Sequence, residues 1–254
     1  MANEIAITFN SFALDSTNNI GIESINTQVA QALREVSLPK ADGSIIPIAK
    51  RKAMTIKFMG NLIGSNYDDL RTKLDSLKNA LETTAEQNLT LDDDRFIKGQ
   101  YGSLSYSYKA LRTYVAFSFD VRCSYPFWQA QSLSSDSRSP TSGVGYTITN
   151  NGNAAARVKI TFTNGGTAIS DDLQIENTTT GQILQYRGSI ISSGVLLVDN
   201  LVSNTDLTVT NQGVDDIVNF EGDFLTLNPG NNTIKITTGV SGFTVLLNWR
   251  DTYL

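Results

Sequence analysis

The chain has 254 residues, 18% of them charged, with 20 Lys+Arg against 25 Asp+Glu, one cysteine and no histidine. One thiol cannot close an internal disulfide or build a Cys-rich zinc site, and without imidazole there is no Ser-His-Asp or Cys-His nucleophile and no histidine-bound metal. Catalysis would have to rest on carboxylates, Lys, Tyr or an N-terminal group, while a chain of this length buries enough surface to fold without metal or disulfide.

Charge is unevenly placed. Up to Phe127 there are 14 basic and 14 acidic residues, and from Trp128 onward 6 against 11. Grip on duplex DNA needs clustered Lys and Arg that displace counterions, so no specific nucleic-acid binding is expected. No run approaches the roughly 20 apolar residues of a membrane helix, and Met1-Ala-Asn-Glu-Ile5 lacks the basic and apolar regions of a signal peptide. The expectation is a soluble chain made in the cytosol, on which the Asn-x-Ser/Thr triplets at Asn88, Asn177 and Asn231 are chance matches.

The first half reads as strands around one helix. Short β-branched and aromatic runs, Ile5 to Phe9, Ile20 to Ile25, Thr55 to Gly60 and Tyr114 to Val121, are bounded by Gly, Asn or Asp. Val29 to Leu38 is open to either state: Ala30, Ala32 and Leu33 tolerate helix, whereas Val36, Ser37 and the following Pro39 favour an extended exit. Lys40-Ala-Asp-Gly43 reads as a turn. Leu70, Leu74, Leu77 and Leu81 recur at helical spacing, which predicts a helix over about 66–82 with Ser65 or Asn66 as cap and Asp68 and Asp69 in its first turn. A hairpin follows from Asn88 to Lys109, where Leu104, Tyr106 and Tyr108 alternate with polar residues to give one aromatic face.

Composition changes after Trp128. Residues 129–145, rich in Ser, Thr and Gly, read as a linker between a domain at 1–128 and another at 146–254. Beyond it no helical period survives, and 13 of the 22 Asn lie there. Apolar alternation every eight to twelve residues predicts an antiparallel sandwich of strands at Tyr146 to Thr149, Arg157 to Thr163, Leu173 to Glu176, Ile183 to Tyr186, Val195 to Asp199, Leu207 to Thr210, Ile217 to Phe220, Phe224 to Leu227, Thr233 to Thr237 and Phe243 to Trp249. Val158, Ile160 and Phe162, with Val245, Leu247 and Trp249, are its expected core. The fold class is therefore mainly β with one helix: a β-rich α+β domain followed by a β-sandwich.

Candidate chemistry is thin. Asp92-Asp93-Asp94 is concentrated acid, but calcium loops spread their ligands over about twelve residues, so a solvated hairpin tip is expected. Lys50-Arg51-Lys52 with Lys57 reads as a solvated strand entry. Glu176, Asp199, Glu221 and Asp223 are the stock from which a glycosidase pair would have to come, with Glu176 and Glu221 the pair to test. No phosphate loop, dinucleotide fingerprint or Gly-x-Ser-x-Gly is present, so no catalytic, cofactor or metal residue is assigned. A carbohydrate-binding module or adhesin stays open, with Tyr146, Tyr186 or Tyr253 as stacking platforms.

A strand ending Tyr125-Pro126-Phe127-Trp128, then a Ser-rich link and Thr149-Asn-Asn-Gly-Asn-Ala154, resembles the distal tail protein of long-tailed, non-contractile (siphovirus-type) bacteriophages. Leu173-Gln-Ile-Glu-Asn-Thr-Thr-Thr-Gly181, Gly194 to Asp199, Phe224 to Ile236 and Leu247 to Tyr253 look like that family's successive strands, in order. The resemblance implies a hexameric ring of N-terminal domains closing the tail tube, and galectin-like C-terminal sandwiches that seat the adsorption apparatus. It implies as neighbours the tail tube protein, a tail-tip hub or tail fibre, and receptor-binding proteins, with DNA passing a central channel unheld. The place would be the virion's tail tip, after assembly in the host cytoplasm, and no active site or cofactor is needed. Tyr125 departs from the family, which often has an acidic residue there, and the chain has no room for the arm or sugar-binding insertion of some members.

Overall fold

A computed structural model describes residues 6–37, 44–91, 94–108, 113–170, 173–201 and 207–254. The chain divides into two compact units, Met1–Pro126 and Phe127–Leu254.

The first unit contains β1 (Ile7–Phe9), β2 (Phe12–Ala13), β3 (Ile20–Gln28), β4 (Gln31–Ser37), β5 (Ser44–Arg51), β6 (Met54–Ile63), α1 (Tyr67–Leu81), β7 (Gln87–Leu91), β8 (Arg95–Tyr108) and β9 (Tyr114–Cys123). An antiparallel sheet runs in the order β2-β1-β7-β8-β9-β6-β3, while β4 and β5 form a separate ribbon. Strict alternation on β6 and β9 builds the core: Ile56 lies opposite Val121, Phe58 opposite Phe119 and Leu62 opposite Val115, all buried. The Phe58 and Phe119 rings stack with centroids 4.8 Å apart.

The helix forms where the leucine period places it, with all four leucines buried and α1 packed on β6. Asn66 is its cap: the Asn66 side chain accepts from Asp69 N at 2.9 Å, and Asp69 Oδ2 accepts from Ser65 N at 2.7 Å, so two free backbone donors are met reciprocally. Gly64 makes the strand-to-helix corner possible, because a Cβ there would sit 2.6 Å from Leu70 N. Each buried leucine contributes about 1.5–3 kcal/mol before chain entropy is subtracted.

Residues 31–37, open to helix in the sequence, are strand, because β5 satisfies their backbone groups along the ribbon. Ile5, Leu38, the 40–43 turn, Asp92, Asp93 and Lys109 lie outside the described residues.

The second unit contains β10 (Trp128–Ala130), β11 (Ser134–Arg138), β12 (Gly145–Asn150), β13 (Ala156–Thr163), β14 (Ile169–Ser170), β15 (Leu173–Asn177), β16 (Gln182–Tyr186), β17 (Ser189–Ile190), β18 (Val195–Asp199), β19 (Thr208–Asn211), β20 (Val214–Asp215), β21 (Phe220–Gly222), β22 (Thr226–Leu227), β23 (Gly230–Thr237), β24 (Thr244–Trp249) and β25 (Thr252–Tyr253). Two antiparallel sheets, β11-β24-β13-β18-β19-β20 and β12-β23-β15-β16-β21, share one core. The expected core residues meet in register: Val158 with Trp249, Ile160 with Leu247 and Phe162 with Val245.

Four fully buried asparagines pin the turns of this sandwich. Asn164 Nδ2 donates to the carbonyls of Thr167, Ile190 and Ile191 at 2.7, 3.2 and 3.1 Å, and its Oδ1 accepts from Gly166 N at 3.0 Å. Asn150, Asn177 and Asn232 repeat the pattern, each donating to distant or local carbonyls while its oxygen accepts a nearby backbone N–H. A buried carboxamide thus satisfies backbone groups that the turns leave without ladder partners.

Three expectations need correction. Residues 129–145 are not a free linker: Trp128–Ala130 pairs with β25, and Ser134–Arg138 pairs with β24 along its whole length. A short, polar edge strand is a common device against edge-to-edge aggregation, and its Ser-Ser-Asp-Ser-Arg composition is what made it read as linker. Ile217–Asn219 is a 3-10 turn, not the start of a strand, and pairing begins only at Phe220. Here Asp215 Oδ1 accepts Ile217 N, and Asp216 holds Asn219, so side-chain bonds take over from the ladder. Of Phe224–Leu227 only Thr226 and Leu227 form strand, against β13.

Candidate assembly surfaces

The carboxylates considered for sugar hydrolysis are not brought together. Glu176 stands opposite Ile183 and Glu221 opposite Gln185, two strands across and two residues along, which standard strand spacings convert to about 12 Å. Glu221 is held by Arg187 at 3.1 Å, and Asp199, on the other sheet, pairs with Lys159 at 3.3 Å. Asp223 is exposed, and Asp94 pairs with Arg95 at 3.7 Å. Among the described residues no three His, Cys, Asp or Glu side chains gather as a metal site. The Cys123 thiol is buried, and burial first, then the charge of Glu86, pushes it up to about 12, so it is an inert core group.

The tyrosines proposed as sugar platforms face the wrong way. Tyr186 is fully buried, and its hydroxyl donates to Asp216 and accepts from Asn211 Nδ2. Tyr146 points inward beneath the Arg138 guanidinium, 5.0 Å from its ring centroid. Tyr253 is half-buried on β25, paired with Trp128. Outward positions of the β12-β23-β15-β16-β21 sheet are mostly polar, among them Thr147, Thr149, Gln174, Glu176, Thr233 and Lys235, with Ile183 an exposed apolar exception, and no described strand residue on either outward face is aromatic.

The surfaces the fold does present are faces and edges. On the first unit, the alternation that buries Phe58, Phe119 and Val121 turns Lys57, Ser118 and Asp120 to the opposite face. With Thr55, Ser103 and Ser105 they line a shallow depression of about 510 Å³ floored by short hydroxyl side chains, where Ser103 donates to Asp120. Its two opposite charges, Lys57 and Asp120, offset each other. Lys57 lies on this face, whereas Lys50 and Arg51 belong to the ribbon and Lys52 follows it, so the basic stretch is split between two structural elements.

The sheet edge at β3 carries a register shift between Ile22 and Ser24, and the β4–β5 ribbon next to it pairs with no other described strand. A two-stranded ribbon alone is marginal in water, and both its edges offer backbone donors and acceptors. The aromatic face expected on β8 is present and exposed at Tyr106 and Tyr108, with Lys78 over the first ring at 4.8 Å and Tyr67 beside the second, whereas Phe96 earlier on the strand is in the core. On the second unit three of the nine exposed large apolar side chains among the described residues, Val214, Ile217 and Val218, fall within five consecutive residues. The sequence reading placed Ile217 on a strand and missed this surface; the adjacent Asp215-Asp216 pair was the available signal for a turn.

Residues 151–253 match the family model of the siphovirus-type tail component, C-terminal domain. No curated protein sequence matches the chain. Among solved structures, the crystal structure of Dit (gp 19.1) of phage SPP1, described as a paradigm of the hub adsorption apparatus in phages infecting Gram-positive bacteria, shares the fold with a TM-score of 0.73 at 15% identity, over 99% of this chain and 100% of that one. A chain of the phage P2 baseplate in its activated conformation with Ca superposes with a TM-score of 0.52 at 7% identity, over 98% of each. The resemblance drawn from Tyr125-Pro126-Phe127-Trp128 and the strands after it is borne out.

Proposed function

We propose that the chain, whose C-terminal unit is a siphovirus-type tail component domain, is the distal tail hub of a long-tailed bacteriophage. The observation that carries this reading is the family match over residues 151–253. In it the first units of six copies close a ring at the end of the tail tube, and the sandwiches seat the proteins that meet the host. The chain performs no catalysis, and its work is to hold neighbours in register.

Three features of the first unit support that arrangement. The open β4–β5 ribbon and the β3 edge supply unpaired strand surface, which a neighbouring subunit would complete. The Ser-lined face, where Asp120 lies opposite Lys57 and two residues from Arg122, suits a channel wall past which DNA slides, because a carboxylate interrupts its cations. The balance of 14 basic and 14 acidic residues up to Phe127 agrees.

The test is electron microscopy of the purified chain and of tail particles, with light scattering. Six copies of the 27.7 kDa chain give a particle of about 166 kDa. An annulus, alone or at the tail tip, is expected. Monomer at every concentration together with absence of the chain from tail tips would refute the reading.

A further inference from the structure

The second unit ends both its sheets at one side: β20 is the last strand of one and β21 the last of the other, and residues 216–219 cross between them. On this crossing the fold does something costly. Within five consecutive residues, Val214 is 69% exposed, Ile217 40% and Val218 85%, although the core of the same sandwich has room for every neighbouring aliphatic on β18 and β19 that faces it. Single exposed aliphatics are ordinary, but a cluster on one rim is the mark of a contact surface.

The cluster is also held rigid. Tyr186, fully buried, sends its hydroxyl out of the core to Asp216, whose other oxygen accepts from Asn219 Nδ2 at 2.6 Å. Asn211 Nδ2 bonds the same hydroxyl at 2.9 Å and the Ser189 carbonyl at 2.8 Å, tying β19 into the network. The β19–β20 turn takes positive φ at Gln212 (54°) and Gly213 (78°), the tight geometry that fixes hairpin register. Beneath the segment, the Phe220 and Phe224 rings stack with centroids 4.5 Å apart against the core. An apolar tip whose backbone is already pinned loses little entropy when something covers it.

Charge says what covers it. Asp215 and Asp216 lie within the segment and Glu221 and Asp223 follow it, and Arg187 is bonded to Glu221. Two copies meeting here face to face would oppose acidic rims, so a symmetric self-contact is disfavoured. We propose that Val214, Ile217 and Val218 form the docking tip for a different protein, one that presents an apolar pocket rimmed by Lys and Arg. This rests on the hub reading and gives its seating role a surface and a partner chemistry.

The test uses the full chain in assembled tail particles. Val218→Cys introduces an exposed thiol, and since Cys123 is buried, a benzophenone maleimide labels position 218 alone. Photolysis should join it to a peptide of another tail protein with Lys or Arg flanking apolar residues, while Ile183→Cys, on an outward sheet face, gives no such adduct. Val214→Asp with Val218→Asp should reduce retention of that protein on the tails about tenfold or more, as loss of an apolar hot spot does, with the melting temperature unchanged. Adducts only to this chain, or full retention in the double variant, would overturn the proposal while leaving the hub reading intact. Absence of the chain from tail tips overturns both.

Discussion

Removing the Asn164 side chain tests whether buried carboxamides, more than strand alternation, hold the sandwich turns. In Asn164→Ala the carbonyls of Thr167, Ile190 and Ile191 lose their shared donor and Gly166 N loses its acceptor, all at a fully buried site. Counting the three donated contacts as about two net bonds, each worth about 1 kcal/mol, and adding about 1–2 kcal/mol for carbonyls left dry, the loss comes to roughly 3–4 kcal/mol. For a unit of this size that lowers its melting temperature by about 10 °C. Trp249 is buried in the sandwich core, so its fluorescence during heating or urea titration follows the second unit. The exposed Asn231→Ala, whose side chain meets only Thr149 Oγ1 at 2.9 Å, should stay within about 1 kcal/mol of the parent. If the two variants lose the same amount, or Asn164→Ala loses less than about 1 kcal/mol, the peg argument is wrong.

Leu74→Asp places a carboxylate in the helix face that packs on β6, and should cost more than about 4 kcal/mol, read as loss of protease resistance and of helical circular dichroism in the first unit. Asp69 is held down to about 2, first by Ser65 N–H and then by Lys73, so its stabilising effect is complete above the ordinary carboxylate value near 4 and fades as pH falls toward 2. Asp69→Asn should therefore flatten acid destabilisation of the first unit in that window, measured by denaturant midpoint against pH, whereas an unchanged slope would show that the contact contributes nothing. Cys123, raised to about 12, should resist thiol reagents at pH 8 in the native chain and react fully once unfolded; because the unfolded thiol ionises near 8.5, stability should also fall as pH climbs above 9.

Legibility in the sequence followed period and pattern. The helix was readable because Leu70, Leu74, Leu77 and Leu81 obey one period and Asn66 with Asp69 marks its start, and all of this is local information. The sandwich core was readable because Val158, Ile160 and Phe162 alternate cleanly, and register follows once one face must be buried. What failed was polar edge structure. Ser134–Arg138 carries no apolar alternation because an edge strand in β11's position buries little, and only its pairing with β24 reveals it. Ile217–Phe220 misleads in the opposite sense: its apolar residues read as strand, although Asp215 and Asp216 on their N-terminal side divert the backbone. The surfaces were hidden for a related reason, since exposure of Val218 or of Tyr106 depends on which neighbours arrive from distant strands.

The buried asparagines bear on how the second unit can serve as a docking platform. Among the described residues its sheets turn mostly polar side chains and no aromatic outward, so affinity for a partner must come largely from the loops and edges, which in most sandwiches are the softest parts. Asn164 and Asn177 bond turns to strands 26 and 49 residues away, and Asn232 closes the Asn228–Gly230 turn, so segments at several chain positions are fixed by side chains of zero exposure. Tyr186 does the same for the 214–219 crossing. The 13 asparagines that stood out in the sequence beyond residue 128 are thus partly a device for rigid turns. Rigidity at the rims lets exposed aliphatics be displayed without collapsing onto the core. A variant that keeps Val214, Val218 and the acidic rim but loosens the crossing, Tyr186→Phe with Asn211→Ala, should therefore weaken partner retention without touching a contact residue. If retention were unchanged while the double aspartate variant abolished it, the apolar contacts would suffice and the pinning network would serve only the fold.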